Sequence, residues 1–165
     1  PDPRGTFEEQ FKSSVIRSEI GREFEVLQVN QSMSNRGVVR GIHWTASPKG
    51  QAKFVTCVKG SIWDIYVDLR KDSKTFGQWG SEVLSLENGK SAFISEGIGH
   101  AFLALENGTI VNYLCTSEFE PSADRILNPF DPDLAIPFLQ IASDNGISEL
   151  ILSDKDRAGS AFKEL

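Results

Sequence analysis

Arg40, His43 and Lys53 bring a guanidinium, an imidazole and an ammonium close together in two stretches otherwise suited to β-strands. These are Val38-Val39-Arg40-Gly41-Ile42-His43-Trp44 and Gln51-Ala52-Lys53-Phe54-Val55. An unpaired buried charge is very costly, so titratable groups set among Val, Ile, Phe and Trp form either a satisfied structural network or a site. As a site, this set suits acid–base work. A proton beside a carbonyl becomes removable when a base such as His43 is in reach and the developing enolate oxygen meets a cation, the part open to Lys53. An aspartate bonded to the far imidazole nitrogen would orient the ring and raise its basicity. Tyr113, in Ile110-Val111-Asn112-Tyr113-Leu114-Cys115, offers a second proton carrier, although a tyrosine so placed also reads as a core aromatic.

Other chemistries find less support. Zinc and iron sites need three or four His, Cys or carboxylate ligands. The only histidines are His43 and His100, neither in an HxH pair, so no metal is expected. Cys57 stands in Phe54-Val55-Thr56-Cys57-Val58, an apolar setting that raises a thiol's pKa and leaves it inert. Cys57 and Cys115 read as reduced core residues without a disulfide framework. No Gly-rich loop precedes a helix, which removes the case for nucleotide hydrolysis.

The elements that must position these residues are mainly strands. Residues 4–11 read as a turn and a short extended piece anchored by Phe7 and Phe11, and residues 14–20 as a helical turn or two stopped by Gly21 as C-cap. Strands are predicted at 25–32, 38–44, 52–58, 61–69, 79–86, 91–95, 101–105 and 109–116. Lys59-Gly60 is read as a tight hairpin between two of them. Along 61–69, Ile62, Asp64, Tyr66 and Asp68 share one parity and Trp63, Ile65, Val67 and Leu69 the other, so acids line one face as they would a polar barrel lumen. Pro121, Pro129, Pro132 and Pro137 predict loop through the next region, with a short helix near 155–165. Short strands with Gly and Asn turns every eight to twelve residues indicate an all-β sandwich or barrel.

Composition narrows the class. A chain of 165 residues suits one domain, 1–165, able to bury roughly 70% of its unfolded surface. A net charge of -6 and a pI near 5.0 argue against a nucleic-acid surface, leaving a small anionic ligand held by local cations as an option. No stretch approaches a membrane span and no signal peptide opens the chain, so a cytoplasmic location is expected. The start at Pro1, without Met, suggests that an N-terminal segment is truncated.

The ordered motifs Val39-Arg40-Gly41-Ile42-His43, Gln51-Ala52-Lys53, Val67-Asp68-Leu69-Arg70, Thr75-Phe76-Gly77-Gln78-Trp79, Glu96-Gly97-Ile98-Gly99-His100-Ala101-Phe102 and Leu152-Ser153-Asp154-Lys155-Asp156 resemble the dTDP-4-dehydrorhamnose 3,5-epimerase family. The resemblance runs from Arg4 to about Asp156. It implies a cupin-type double-stranded β-helix, or jelly-roll barrel, with a few short peripheral helices. It further implies a cofactor-independent isomerase that inverts C3 and C5 of a dTDP-4-keto-6-deoxyhexose. In that resemblance His43 is the base, Asp156 its partner, Lys53 the cation near the ketone oxygen and Tyr113 the acid on the opposite face. Substrate contacts carry over to Arg4, Phe7, Glu9, Gln28, Val29, Asn30, Arg40, Lys53, His100, Phe119, Asp124 and Lys155. Phe119 stands at a thymine-stacking position commonly held by Tyr, and Asp124 where Glu is usual. A homodimer exchanging N-terminal segments is also implied, with Arg4 and Phe7 serving a neighbour's site. Two alternatives stay open: an epimerase acting at C3 only or C5 only, and a sugar-nucleotide binding protein without turnover.

Overall fold

A computed structural model describes residues 2–46, 48 and 50–165. Among the described residues, nine strands form two antiparallel sheets. They are β1 (Gln28–Ser34), β2 (Val39–Thr45), β3 (Lys53–Lys59), β4 (Ser61–Asp68), β5 (Trp79–Ser85), β6 (Ser91–Ile94), β7 (Ile98–Ala104), β8 (Thr109–Cys115) and β9 (Asp124–Ile126). One sheet runs β1-β8-β3-β6 and the other β5-β4-β7-β2-β9. Apart from β4 and β5, successive strands lie in different sheets, so the chain passes back and forth between the two walls.

That path corrects the reading of Lys59-Gly60 as a hairpin. β3 pairs with β6 and β8, and β4 with β5 and β7, so the turn is a corner between sheets. Gly60 has a φ of +71°, and a Cβ there would press on Thr109 at the start of β8. The reversal is local, whereas pairing depends on distant strands that compete for the same edges.

Alternation along each strand divides the core into layers. Val55, Cys57, Ile62, Phe102 and Val111 fill the space between the sheets. Trp63, Ile65, Val67 and Leu103 point to the outer side of the five-stranded sheet, where they meet Leu134, Phe138 and Ala142. Phe24, Ala52 and Phe54 form a third cluster outside the other sheet, covered by Phe11, Ile16 and Ile20. The last two belong to α1 (Ser13–Ile20), which ends as expected at Gly21, in the left-handed region with its N–H bonded to Arg17.

The Pro-rich region departs from the expectation of plain loop. Asp124–Ile126 adds a short strand to β2, and α2 (Phe138–Asp144) follows Pro137, which stands at its N-cap. The strand predicted at 101–105 begins earlier, at Ile98, because β4 supplies partners back to that residue. The C-terminal helix forms as two pieces, α3 (Asp154–Arg157) and a 3-10 turn at Phe162–Glu164. No described helix is long and apolar enough to cross a membrane.

Candidate active site

A break in alternation builds the site. Strict two-residue periodicity would send Arg40 and His43, three apart on β2, to opposite faces. Instead the β2–β7 register shifts between Arg40 and His43, and both side chains face the space between the sheets. Gly41 is the extra residue. Its φ is +109°, and a Cβ there would collide with the His100 carbonyl and with Ala101. Val39 before the bulge, and Ile42 and Trp44 after it, all remain in the outer core cluster.

His43 bonds to Asp156 through Nε2 and Oδ1, 2.6 Å apart, although the two lie 113 residues apart in the chain. Three contacts bring the carboxylate there. Ile151 bridges to Val38 beside β2, Ser160 bridges to Leu127 beyond β9, and Ser153 caps α3 by accepting the Asp156 N–H. Burial alone would push the Asp156 carboxyl up. The His43 ring, Ser153 and the Gly41 N–H outweigh it and hold the group below its ordinary value. An ionised Asp156 can only accept, so His43 donates Nε2–H to it, and in the neutral ring it is then Nδ1 that carries the lone pair. Nδ1 makes no hydrogen bond with a described residue, and the side chain is 37% exposed while that of Asp156 is 6% exposed.

The opposite wall supplies the other groups. Asn30 and Ser32 come from β1, Lys53 from β3, and Tyr113 and Cys115 from β8. The Tyr113 hydroxyl lies 3.2 Å from Ser32 Oγ, and burial pushes its phenol well above the usual range. Lys53 pairs in register with Cys115 and has no ion pair among the described residues. Burial lowers its ammonium's pKa, against the weaker pull of Cys115, Asp124 and Asp64. Cys57 is buried and raised to about 11 by desolvation, in keeping with an inert core thiol. Among the described residues no three His, Cys, Asp or Glu side chains converge as metal ligands.

Asn30, Ser32, Arg40, His43, Lys53 and Tyr113 surround a cleft of about 320 Å3 between the sheets. A larger groove of about 730 Å3 flanks the end of β2 near Leu69, Arg125 and Leu165, but it contains neither histidine. Chemistry, not volume, selects the smaller one.

At the cleft's inner side His100 Nε2 sits 2.6 Å from Asp64 Oδ1, with the two residues 4% and 0% exposed. Tyr66 stacks on His100, and Tyr113 meets that ring edge-on. At the mouth, the Phe119 N–H donates to Gln28 Oε1 at 2.7 Å, and Gln28 Nε2 donates to Asn30 Oδ1 at 2.8 Å. Lys155 Nζ donates to Asp124 Oδ2 at 2.9 Å. Two side chains expected to contact ligand therefore hold each other.

Not every expected residue gathers here. Arg4, Phe7 and Glu9 are absent from the cleft wall, and Phe7 is 96% exposed. Val29 points outward from β1, 63% exposed, because Asn30 and Ser32 take the inward parity. The cleft also takes in Ser32, and Asp64 stands behind His100, neither of them among the expected site residues. Each carried a signal: Asp64 shares the polar parity of β4, and Ser32 lies two residues beyond Asn30.

A base braced by a carboxylate, a cation and a phenol around one hollow can take a proton from a carbon acid and return one from another side. The family model for dTDP-4-dehydrorhamnose 3,5-epimerase matches residues 1–164. The chain is 40% identical over 163 residues to the dTDP-4-dehydrorhamnose 3,5-epimerase of Mycolicibacterium smegmatis, covering 99% of this chain and 77% of the relative. The solved structure of an epimerase from Mycobacterium tuberculosis superposes with a TM-score of 0.93 at 39% identity, over 99% of this chain and 80% of that one. A 3'-monoepimerase from Streptomyces bikiniensis, solved in complex with dTDP-quinovose, gives a TM-score of 0.89 at 39% identity, over 98% of this chain and 79% of that one. This chain belongs to the dTDP-4-dehydrorhamnose 3,5-epimerase family, with the jelly-roll architecture of its solved relatives.

Proposed function

We propose that the protein inverts C3 and C5 of dTDP-4-dehydro-6-deoxy-D-glucose, giving dTDP-4-dehydro-L-rhamnose without a cofactor. The observation that carries this reading is the 2.6 Å bond between His43 and Asp156 in a cleft that also holds Lys53 and Tyr113. His43 Nδ1 takes the proton from a carbon beside the C4 ketone, and Asp156 stabilises the imidazolium that results. Electron density moves to the ketone oxygen, where the Lys53 ammonium meets it. Tyr113, on the other sheet, returns a proton from the opposite face. Two groups are needed because a base that hands back its own proton restores the starting sugar.

The nucleotide end falls to Arg40, His100, Gln28, Asn30, Asp124, Lys155 and the ring of Phe119. Arg40 and Lys155 suit phosphate oxygens, and Phe119 stacks on thymine without needing a hydroxyl. Arg4, Phe7 and Glu9 stand clear of their own cleft, which fits their use in the cleft of a second copy within a homodimer.

Incubation with the dTDP-4-keto-6-deoxyhexose in deuterium oxide tests the reading. The wild type is expected to place deuterium at C3 and C5 with inversion at both, and His43→Ala to place it at neither. Inversion at a single carbon would move the protein beside the S. bikiniensis monoepimerase, which it matches as closely as the two-carbon relatives. Tight dTDP binding with no exchange in the wild type would leave a binding protein and end the enzymatic reading.

A further inference from the structure

Inversion at two carbons during one residence of the sugar requires Tyr113 to give up two protons while the cleft is filled. Each donation breaks the phenolic O–H as the new C–H bond forms, leaving a tyrosinate. His43 meanwhile holds the abstracted proton. Before the second carbon can react, the phenol must be recharged from a source other than the sugar.

Among the described residues, the only side-chain hydroxyl within hydrogen-bond reach of the Tyr113 oxygen is that of Ser32 at 3.2 Å. Ser32 is half-buried on β1, which stands at the edge of its sheet, so only one side of the strand is covered by a neighbouring strand. Its inward parity, shared with Asn30, aims the hydroxyl at the cleft across the β1–β8 pair, where Asn30 faces Tyr113 in register. Burial makes a bare tyrosinate costly here, while Arg40 draws the phenol the other way. A hydrogen bond from Ser32 would stabilise that anion further.

We propose that Ser32 is the proton relay that recharges Tyr113 between the two inversions, an inference that rests on the acid role given to Tyr113 above. In one concerted shift the tyrosinate oxygen takes the Ser32 hydroxyl proton and the serine oxygen takes a proton from water. The hydroxide left behind is neutralised by the proton His43 releases, so the cycle consumes none. Ser32 does not touch the reacting carbon. It acts through Tyr113.

The test compares wild type, Ser32→Ala and Ser32→Thr by NMR of products and by deuterium uptake. Ser32→Ala is expected to keep the KM within about twofold and to retain the first exchange step, yet to slow steady-state turnover about tenfold or more and to release singly inverted sugar. Ser32→Thr, which keeps the hydroxyl, is expected to recover most of the rate and the doubly inverted product. Ser32→Ala with wild-type turnover and product ratio would overturn the relay, whichever product the wild type makes. So would equal losses in the alanine and threonine variants, since those would mark a packing role. Failure of deuterium uptake in the wild type itself would instead strike the catalytic reading, which keeps the two failures apart.

Discussion

Arg40 and His43, three residues apart on one strand, face the same cleft because Gly41 absorbs a register shift between them. The catalytic wall therefore depends on a residue with no side chain to offer. Its positive φ and its approach to the His100 carbonyl both exclude a Cβ.

Gly41→Ala should accordingly cost stability and activity together. The clash is with backbone, which cannot swing aside as a flexible side chain can. We expect a loss of about 3 kcal/mol or more and a melting temperature lower by roughly 5–10 °C, read by thermal and denaturant unfolding. Any folded fraction should show weakened proton exchange, because Arg40 and His43 would no longer share a face. Wild-type stability in this variant would show that the bulge relaxes at little cost.

Asp156→Asn keeps the size of the side chain but can present its amide N–H₂ to the imidazole, favouring the tautomer that puts the proton on Nδ1. The lone pair needed at the cleft is then lost. Turnover should drop by about 10²–10⁴-fold while dTDP affinity stays within about threefold, measured by steady-state kinetics and calorimetry. A drop confined to affinity would place Asp156 in binding instead of in orientation of His43.

Asp68 gives a stability prediction away from the cleft. Its carboxylate accepts from the Arg70 guanidinium and N–H, and from the Ser73 and Thr75 hydroxyls. The Arg70 contact is the largest cause holding it well below its ordinary 3.8, and it outweighs the opposing effect of burial. Because the folded pKa is depressed, the stabilisation is fully present above the ordinary value and is lost as pH falls below it. Denaturant unfolding should therefore weaken between about pH 4 and pH 2, and Asp68→Asn should flatten that acid limb while lowering stability at pH 7. An unchanged acid limb in the variant would assign it to other carboxylates.

How much of this was legible in residues alone differs from element to element. The alternation that put Asp64 and Tyr66 on one parity of β4 and Trp63, Ile65 and Val67 on the other holds, because a strand's two faces are set by local geometry. The Gly21 cap holds for the same reason. The turn at Lys59-Gly60 was legible as a reversal, but whether its flanking strands pair was not, since β8 and β7 claim their edges from far along the chain. The helix after Pro137 and strand β9 were likewise hidden, one behind proline signals and the other because three residues carry too little periodicity.

For the site, the sequence by itself determined the reagents: an imidazole, an ammonium, a guanidinium and a phenol, each within strand-forming residues. Tertiary structure decided their relations. It set His43 against a carboxylate 113 residues away, turned Arg40 to the same side, and left Arg4, Phe7 and Glu9 outside the cleft. The physical reason is that residue type fixes what protons and charges a side chain can carry, whereas the face it presents and the partner it meets follow from sheet pairing between segments with no contact in sequence.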